Sequence, residues 1–266
     1  MDSSEANVVG EGSMTRIRPL HVIYLICHLF VVVVGLFLVR NDDLTLQAIG
    51  ASMIAGGISG GMIFLYVLWG SQFSERLEDI DRFGLVRLFE ARSVRIRHEY
   101  ENHLAHLTSR VDVMGFGLRA FLQDYRNNFD SWSRRASVRV LLIDPEFPTA
   151  RQSFANQRDR EEKNIGGTIT DDVRAFAKEM GRLINESQGR FSIRLYRCLP
   201  TVNILRIDGV LFWGPYLLGE QSRNMPTLKV REGGILFERM TTHFERIWAN
   251  EDFSRDVPDS WLQPAR

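Results

Sequence analysis

Cysteine is scarce: the 266 residues contain two, Cys27 inside an apolar run and Cys198 far from it. Two thiols so placed do not brace a fold, and a reducing compartment is expected. Net charge is missing as well, since 33 Lys and Arg balance 33 Asp and Glu. That removes the basic footprint of a nucleic-acid binder, so no specific nucleic acid is expected as a partner. Repeats and low-complexity tracts are absent, which excludes a solenoid. Charge is also missing locally. Neither Leu20 to Val39 nor Leu44 to Phe73 contains a Lys, Arg, Asp or Glu.

These uncharged runs are the strongest signal in the chain. LHVIYLICHLFVVVVGLFLV, from Leu20 to Val39, would rise about 30 Å as a helix, the thickness of a hydrocarbon core. Leu46 to Trp69 is a second such run. A cleaved signal peptide fits the first poorly, because the run is long, lacks a small-x-small site and is soon followed by another span. Residues 20–70 are therefore expected to form a transmembrane hairpin after an N-terminal tail, 1–19. Arg16 and Arg18 precede it, and Arg76, Arg82 and Arg87 follow it. The positive-inside rule places both termini in the cytoplasm of a bacterial inner membrane. Ala48, Ser52, Gly56 and Gly60 recur every four residues on the second span, a spacing that lets helix backbones approach closely within the hairpin or between subunits. His21 and His28 in the first span read as helix-contact or interfacial residues.

From Ser71 to Arg110 there is no proline and a single glycine, Gly84. Phe73, Leu77, Ile80, Leu88, Tyr100, Leu104 and Leu107 give an apolar stripe of mixed three-and-four spacing, which predicts a helical stalk over 71–110. His98, His103 and His106 lie along it without a cysteine nearby; they read as a solvated face, and no metal or other cofactor is expected. Residues 111–249 carry the folded domain. Val111 to Ser133 reads as a helix, SVRVLLID (137–144) as a strand, and 145–168 as a long mobile loop. A helix capped by Thr170 follows, then strands FSIRLYR, VNILRID, VLFWGPY and TLKV. Asp208-Gly209 marks a two-residue hairpin. Ile235 to Trp248 closes the domain as a helix in which His243 reads as structural, and 250–266 is a polar tail. The order predicts a membrane-anchored mixed α/β fold.

The run VRVLLIDP, a helix, then IRLYRCLPTVNILRIDGVLFWGPYLLG resembles one half of a phospholipase D-like domain, in particular its compact bacterial forms. The resemblance spans roughly Val111 to Trp248 and implies a single α/β unit. Active members carry His-x-Lys followed, after four intervening residues, by Asp. With Asp208 at the aspartate, Thr201 stands where the histidine belongs and Asn203 where the lysine belongs. Gly214-Pro215-Tyr216 replaces the usual glycine-serine stretch. The resemblance thus implies a degenerate site without the phosphohistidine chemistry, and no residue is assigned as catalytic.

The candidate ligand-binding residues are Arg197, Thr201, Asn203, Arg206, Asp208, Tyr216 and Asn224. Arginine, amide and aromatic groups suit a phosphate-bearing or nucleotide-like ligand. Strand alternation, however, puts Asn203, Leu205 and Ile207 on one face and Ile204, Arg206 and Asp208 on the other. Asp208 as a turn cap is the plainer alternative. A membrane-anchored sensor or effector is expected, with the bilayer and further copies of the chain as partners in a homodimer or higher oligomer, and with bacterial defence as one setting. The competing reading is a membrane-bound phosphodiesterase with non-standard catalytic residues.

Overall fold

The computed structural model describes residues 19–91, 94–221 and 224–262, with the backbone alone at 19–21, 71–76 and 94. Arg16, Arg18 and Arg223, and the side chains of His21, Phe73 and Arg76, lie outside what is described. The chain divides into two compact units, Met1–Leu77 and Glu78–Arg266.

The first unit is a hairpin of α1 (Pro19–Val39) and the greater part of α2 (Leu44–Phe83), whose last residues, from Glu78, belong to the second unit. Asp43 accepts the Thr45 N–H at 2.8 Å and so caps α2. Val22–Val39 and Leu44–Gly70 are each long and apolar enough to cross a membrane. The two helices touch where side chains are absent. A Cβ on Gly50 would stand 2.7 Å from the Gly35 carbonyl oxygen, and one on Gly57 2.6 Å from Val32. Of the four-residue repeat, Gly60 faces the His28 ring inside the hairpin, whereas Gly56 has open space beside it. Ala48 and Ser52 are exposed.

In the second unit β1 (Leu85–Phe89), α3 (Val94–Ala105), β2 (Arg110–Gly115), α4 (Arg119–Tyr125), α5 (Phe129–Arg135) and β3 (Ser137–Ile143) come first. Then follow α6 (Phe154–Glu161), α7 (Thr168–Glu186), β4 (Phe191–Tyr196), β5 (Val202–Ile207), β6 (Val210–Pro215), β7 (Thr227–Arg231), α8 (Ile235–Ala249), β8 (Ser254–Asp256) and α9 (Asp259–Leu262). One eight-stranded sheet runs β1-β7-β6-β5-β2-β3-β4-β8. β2, β3 and β4 are parallel, and the other neighbours are antiparallel. A mixed α/β architecture is thus present. Tyr100 of α3 packs edge-on against Phe212 of β6 at 4.7 Å, and Phe129 of α5 meets Phe176 of α7 and Phe191 of β4. These helices cover one face of the sheet. Phe237 of α8 lies on the other, under the Arg206 guanidinium.

Four expectations need correction. The stalk is not one helix: α2 ends at Phe83, Gly84 turns at φ 72, and β1 pairs with β7. The apolar stripe read across 71–110 is divided among α2, β1, α3 and the loop after α3, with Leu88 left 61 % exposed on the sheet edge. Val111 to Ser133 begins as a strand, because Val111 and Val113 face the core while Asp112 serves the opposite face. The loop 145–168 contains α6, whose Ser153 accepts the Asn156 N–H at 3.2 Å as its N-cap, and the following helix starts at Thr168 rather than Thr170. The tail adds β8 beside β4 and a short helix, so it is part of the domain.

Candidate functional site

β2 is parallel to β3 on one side and antiparallel to β5 on the other. Its C-terminal end therefore lies beside the start of β5, and a cavity of about 510 Å³ opens there. Three segments build it. Phe116-Gly117-Leu118 leaves β2 and enters α4 with Leu118 left-handed at φ 51, which presents Arg119 and Gln123. The first turns of α7 bring Thr168 and Asp172. β5 and the chain after β6 bring Asn203, Tyr216 and Gln221. Tyr100, Phe116 and Phe121 supply aromatic wall. The volume falls in the range of small-molecule sites. Gly117 is needed at its place: a Cβ there would stand 2.6 Å from the Cβ of Asp172.

One wall is fixed by a buried arginine. Arg158 is 2 % exposed. It donates to Glu162 at 2.8 Å and to the carbonyls of Leu217 at 2.9 Å and Glu220 at 2.7 Å. Its guanidinium lies over the rings of Phe116 and Tyr216, at 5.7 and 5.3 Å. Burial pushes the Tyr216 phenol far up, so it stays protonated. Two carboxylates, Asp159 of α6 and Asp172 of α7, stand near the start of α7. Asp159 accepts the Gly167 N–H at 3.0 Å and the Ile169 N–H at 3.2 Å. Burial nonetheless raises its pKa. Burial also raises Asp172, against the pull of Arg119, whose Nε stands 3.9 Å away.

The residues singled out from sequence are not brought together. Asn203 and Tyr216 line the cavity. Thr201 is exposed beside it, and its carbonyl accepts the Tyr216 N–H at 3.0 Å. Asn224 is exposed and donates its N–H to the Gln221 carbonyl at 2.8 Å. Arg197 is held by the fully buried Asp144 at 2.8 Å, a carboxylate that Arg255 also meets. Arg206 packs on the other face of the sheet, near Asp112 and over Phe237. It joins a charged cluster there in which Arg139 bridges Asp112 at 2.7 Å and Glu245 at 2.6 Å.

Asp208 lies at the far end of β5, in the hairpin turn, with φ 49. Its carboxylate accepts the backbone N–H groups of Thr108, Ser109 and Arg110 and the hydroxyls of Thr108 and Ser109, all within 3.0 Å. Burial works against the charged form, but these donors, Ser109 first, outweigh it and hold the pKa at about 2. Asp208 thus ties the hairpin to the start of β2 and is no part of the cavity. Among the described residues no group of three or more His, Cys, Asp and Glu is placed to hold a metal. His103 packs against Phe212, and His106 Nδ1 lies 2.9 Å from the Asn102 carbonyl.

No protein-family model matches the chain. No curated protein matches it either. Among solved structures it is similar to TrmBL2, an archaeal chromatin protein, at 11 % identity and a TM-score of 0.39, over 78 % of this chain and 70 % of that one. It is also similar to phosphatidylserine synthase of Haemophilus influenzae, at 13 % identity and a TM-score of 0.41, over 66 % of this chain. The chain spans 40 % of the synthase's length. At these scores neither likeness assigns a fold family or an activity.

Proposed function

We propose that the chain is a membrane-anchored sensor or effector whose second unit binds a small nucleotide-like ligand in the cavity at the end of β2. The anchor is the α1–α2 hairpin, in a bacterial inner membrane with both termini cytoplasmic. The observation that carries the reading is the composition of the cavity wall. Aromatic rings, carboxamides and one arginine at the rim, Arg119, surround a volume of about 510 Å³. A base would lie against the rings and a phosphate would meet Arg119, whose side chain is 63 % exposed.

Binding is favoured over hydrolysis by what lines the wall. Among the described residues the lining holds Thr168 and Thr227 but no histidine, lysine, cysteine or serine, which leaves Glu162, held by Arg158, and Asp172 as its candidate bases and provides no histidine-based nucleophile pair. A route for the signal is supported by the end of α2. The Arg231 N–H donates to the Gly84 carbonyl at 2.9 Å, and the Arg231 guanidinium meets Asp81 at 2.6 Å. That helix end is thereby clamped to the corner between β7 and α8.

The test uses the full chain purified in detergent. Millimolar ribonucleotides, added one at a time, should raise the melting temperature by several degrees for at least one of them, as binding to the native state alone requires. A chromogenic phosphodiester should not be turned over. No shift with any nucleotide, or turnover abolished by Asn203→Ala, overturns the reading.

A further inference from the structure

The buried and half-buried carboxylates described above are met by donors, with one exception. Asp112 has Arg139, Asp144 has Arg197 and Arg255, Asp159 has two N–H groups of α7, and Asp208 has five donors. Asp172 has none among the described residues. Its side chain is 20 % exposed, and its nearest cation, Arg119, stands at 3.9 Å, beyond hydrogen-bond range. A carboxylate mostly out of water, with no hydrogen-bond donor, carries a desolvation cost that the ion pair with Arg119 offsets only in part.

We infer that Asp172 is the sugar-binding residue of the cavity and accepts hydrogen bonds from two neighbouring hydroxyls of the ligand. The inference rests on the reading of the cavity as a nucleotide site and names the part of the ligand that Asp172 meets. Three observations select hydroxyls over other donors. Arg119 stands 3.9 Å from Asp172, so a second cation is opposed at the carboxylate and neutral donors fit there, while the exposed guanidinium is left to meet the phosphate. A carboxylate has two oxygens in one plane, which matches two adjacent hydroxyls, as a ribose presents them. Thr168, one helical turn before Asp172, and Asn203 across the cavity add neutral donors and acceptors of the kind that complete a hydroxyl network. Gly117 leaves Asp172 its place, since any side chain there would displace the carboxylate.

The experiment is calorimetric titration of the full chain in detergent with each ribonucleoside 5′-monophosphate, its 2′-deoxy counterpart, and ribose 5-phosphate. At least one ribonucleotide should bind about tenfold or more tightly than its deoxy partner, because a site built around a hydroxyl rejects the analogue that lacks it. Asp172→Asn, checked for an unchanged circular dichroism spectrum, should bring the two to within about twofold. Equal binding of the two sugars by the wild-type chain overturns the inference while leaving the nucleotide reading intact. So does a preference that survives Asp172→Asn. Binding of ribose 5-phosphate without any nucleotide keeps the sugar grip and removes the nucleotide. Binding of none removes both.

Discussion

At the scale of single residues, Asp208 and Asp172 show two carboxylates in opposite circumstances. Asp208 is surrounded by donors from a segment about a hundred residues earlier, so its charged form is strongly preferred in the folded chain. Its folded pKa of about 2 lies below the ordinary 3.8. Its contribution to stability is therefore complete above about pH 4. It is lost as the pH falls toward 2. Asp208→Ala should cost about 1–2 kcal/mol in denaturant titration, because five hydrogen bonds to the charged carboxylate are lost from donors that water reaches in part. Asp208→Asn should flatten the acid limb of the melting curve. Asp172 has the reverse sign: its raised pKa means that stability falls as pH rises past the ordinary carboxylate value. Asp172→Asn should raise the melting temperature at pH 7 in the absence of ligand, and an unchanged or lower midpoint would count against the burial cost argued above. What sequence could show of this was uneven. Asp208-Gly209 announced its hairpin, but nothing local indicated that Thr108 to Arg110 would supply the donors. Arg197 and Arg206 looked like free cations because Asp144 and Asp112 lie on other strands. Arg119 and Asp172 went unnoticed because the cavity draws them from two helices that no periodicity links.

At the scale of elements, the edge strand β1 is where local pattern misled. LVRLF follows a helical segment without a break in composition, and its apolar residues continue a helical stripe well enough to hide a strand. Gly84 was the one signal, and its φ of 72 is what stops α2. The strands β3 to β7 and the helix α8 were legible because alternation or a 3.6-residue period there agrees with burial. A fragment beginning at Glu78 should be monodisperse in gel filtration without detergent. One beginning at Val94 lacks β1, uncovers the edge of β7 and should aggregate. Within the hairpin, Gly50→Val would drive a side chain into the Gly35 backbone, so the α1–α2 pair should lose about 1–3 kcal/mol in an SDS unfolding titration. Gly56→Val, with open space around it, should leave that titration unchanged. A shift in apparent subunit number for Gly56→Val alone would assign this glycine to a contact between chains.

At the scale of the whole molecule, composition was the most informative feature of the sequence, since two uncharged runs point to a bilayer before any fold is considered. The full chain should remain with membranes through alkaline carbonate washing, whereas the fragment from Glu78 onward should not. Recovery of the full chain in the wash would exclude the anchor.

The pairing of β1 with β7 has a consequence for how the protein is made. Leu85 finds its partner in Val230, so about 140 residues must leave the ribosome between the two, roughly 7 to 30 seconds at ordinary elongation rates. Throughout that interval Val86 and Leu88 wait on a nascent strand with no neighbour. Slowing translation between α3 and β7 should thus lower the yield of folded protein, and chaperone demand should be greatest before the last fifth of the chain emerges.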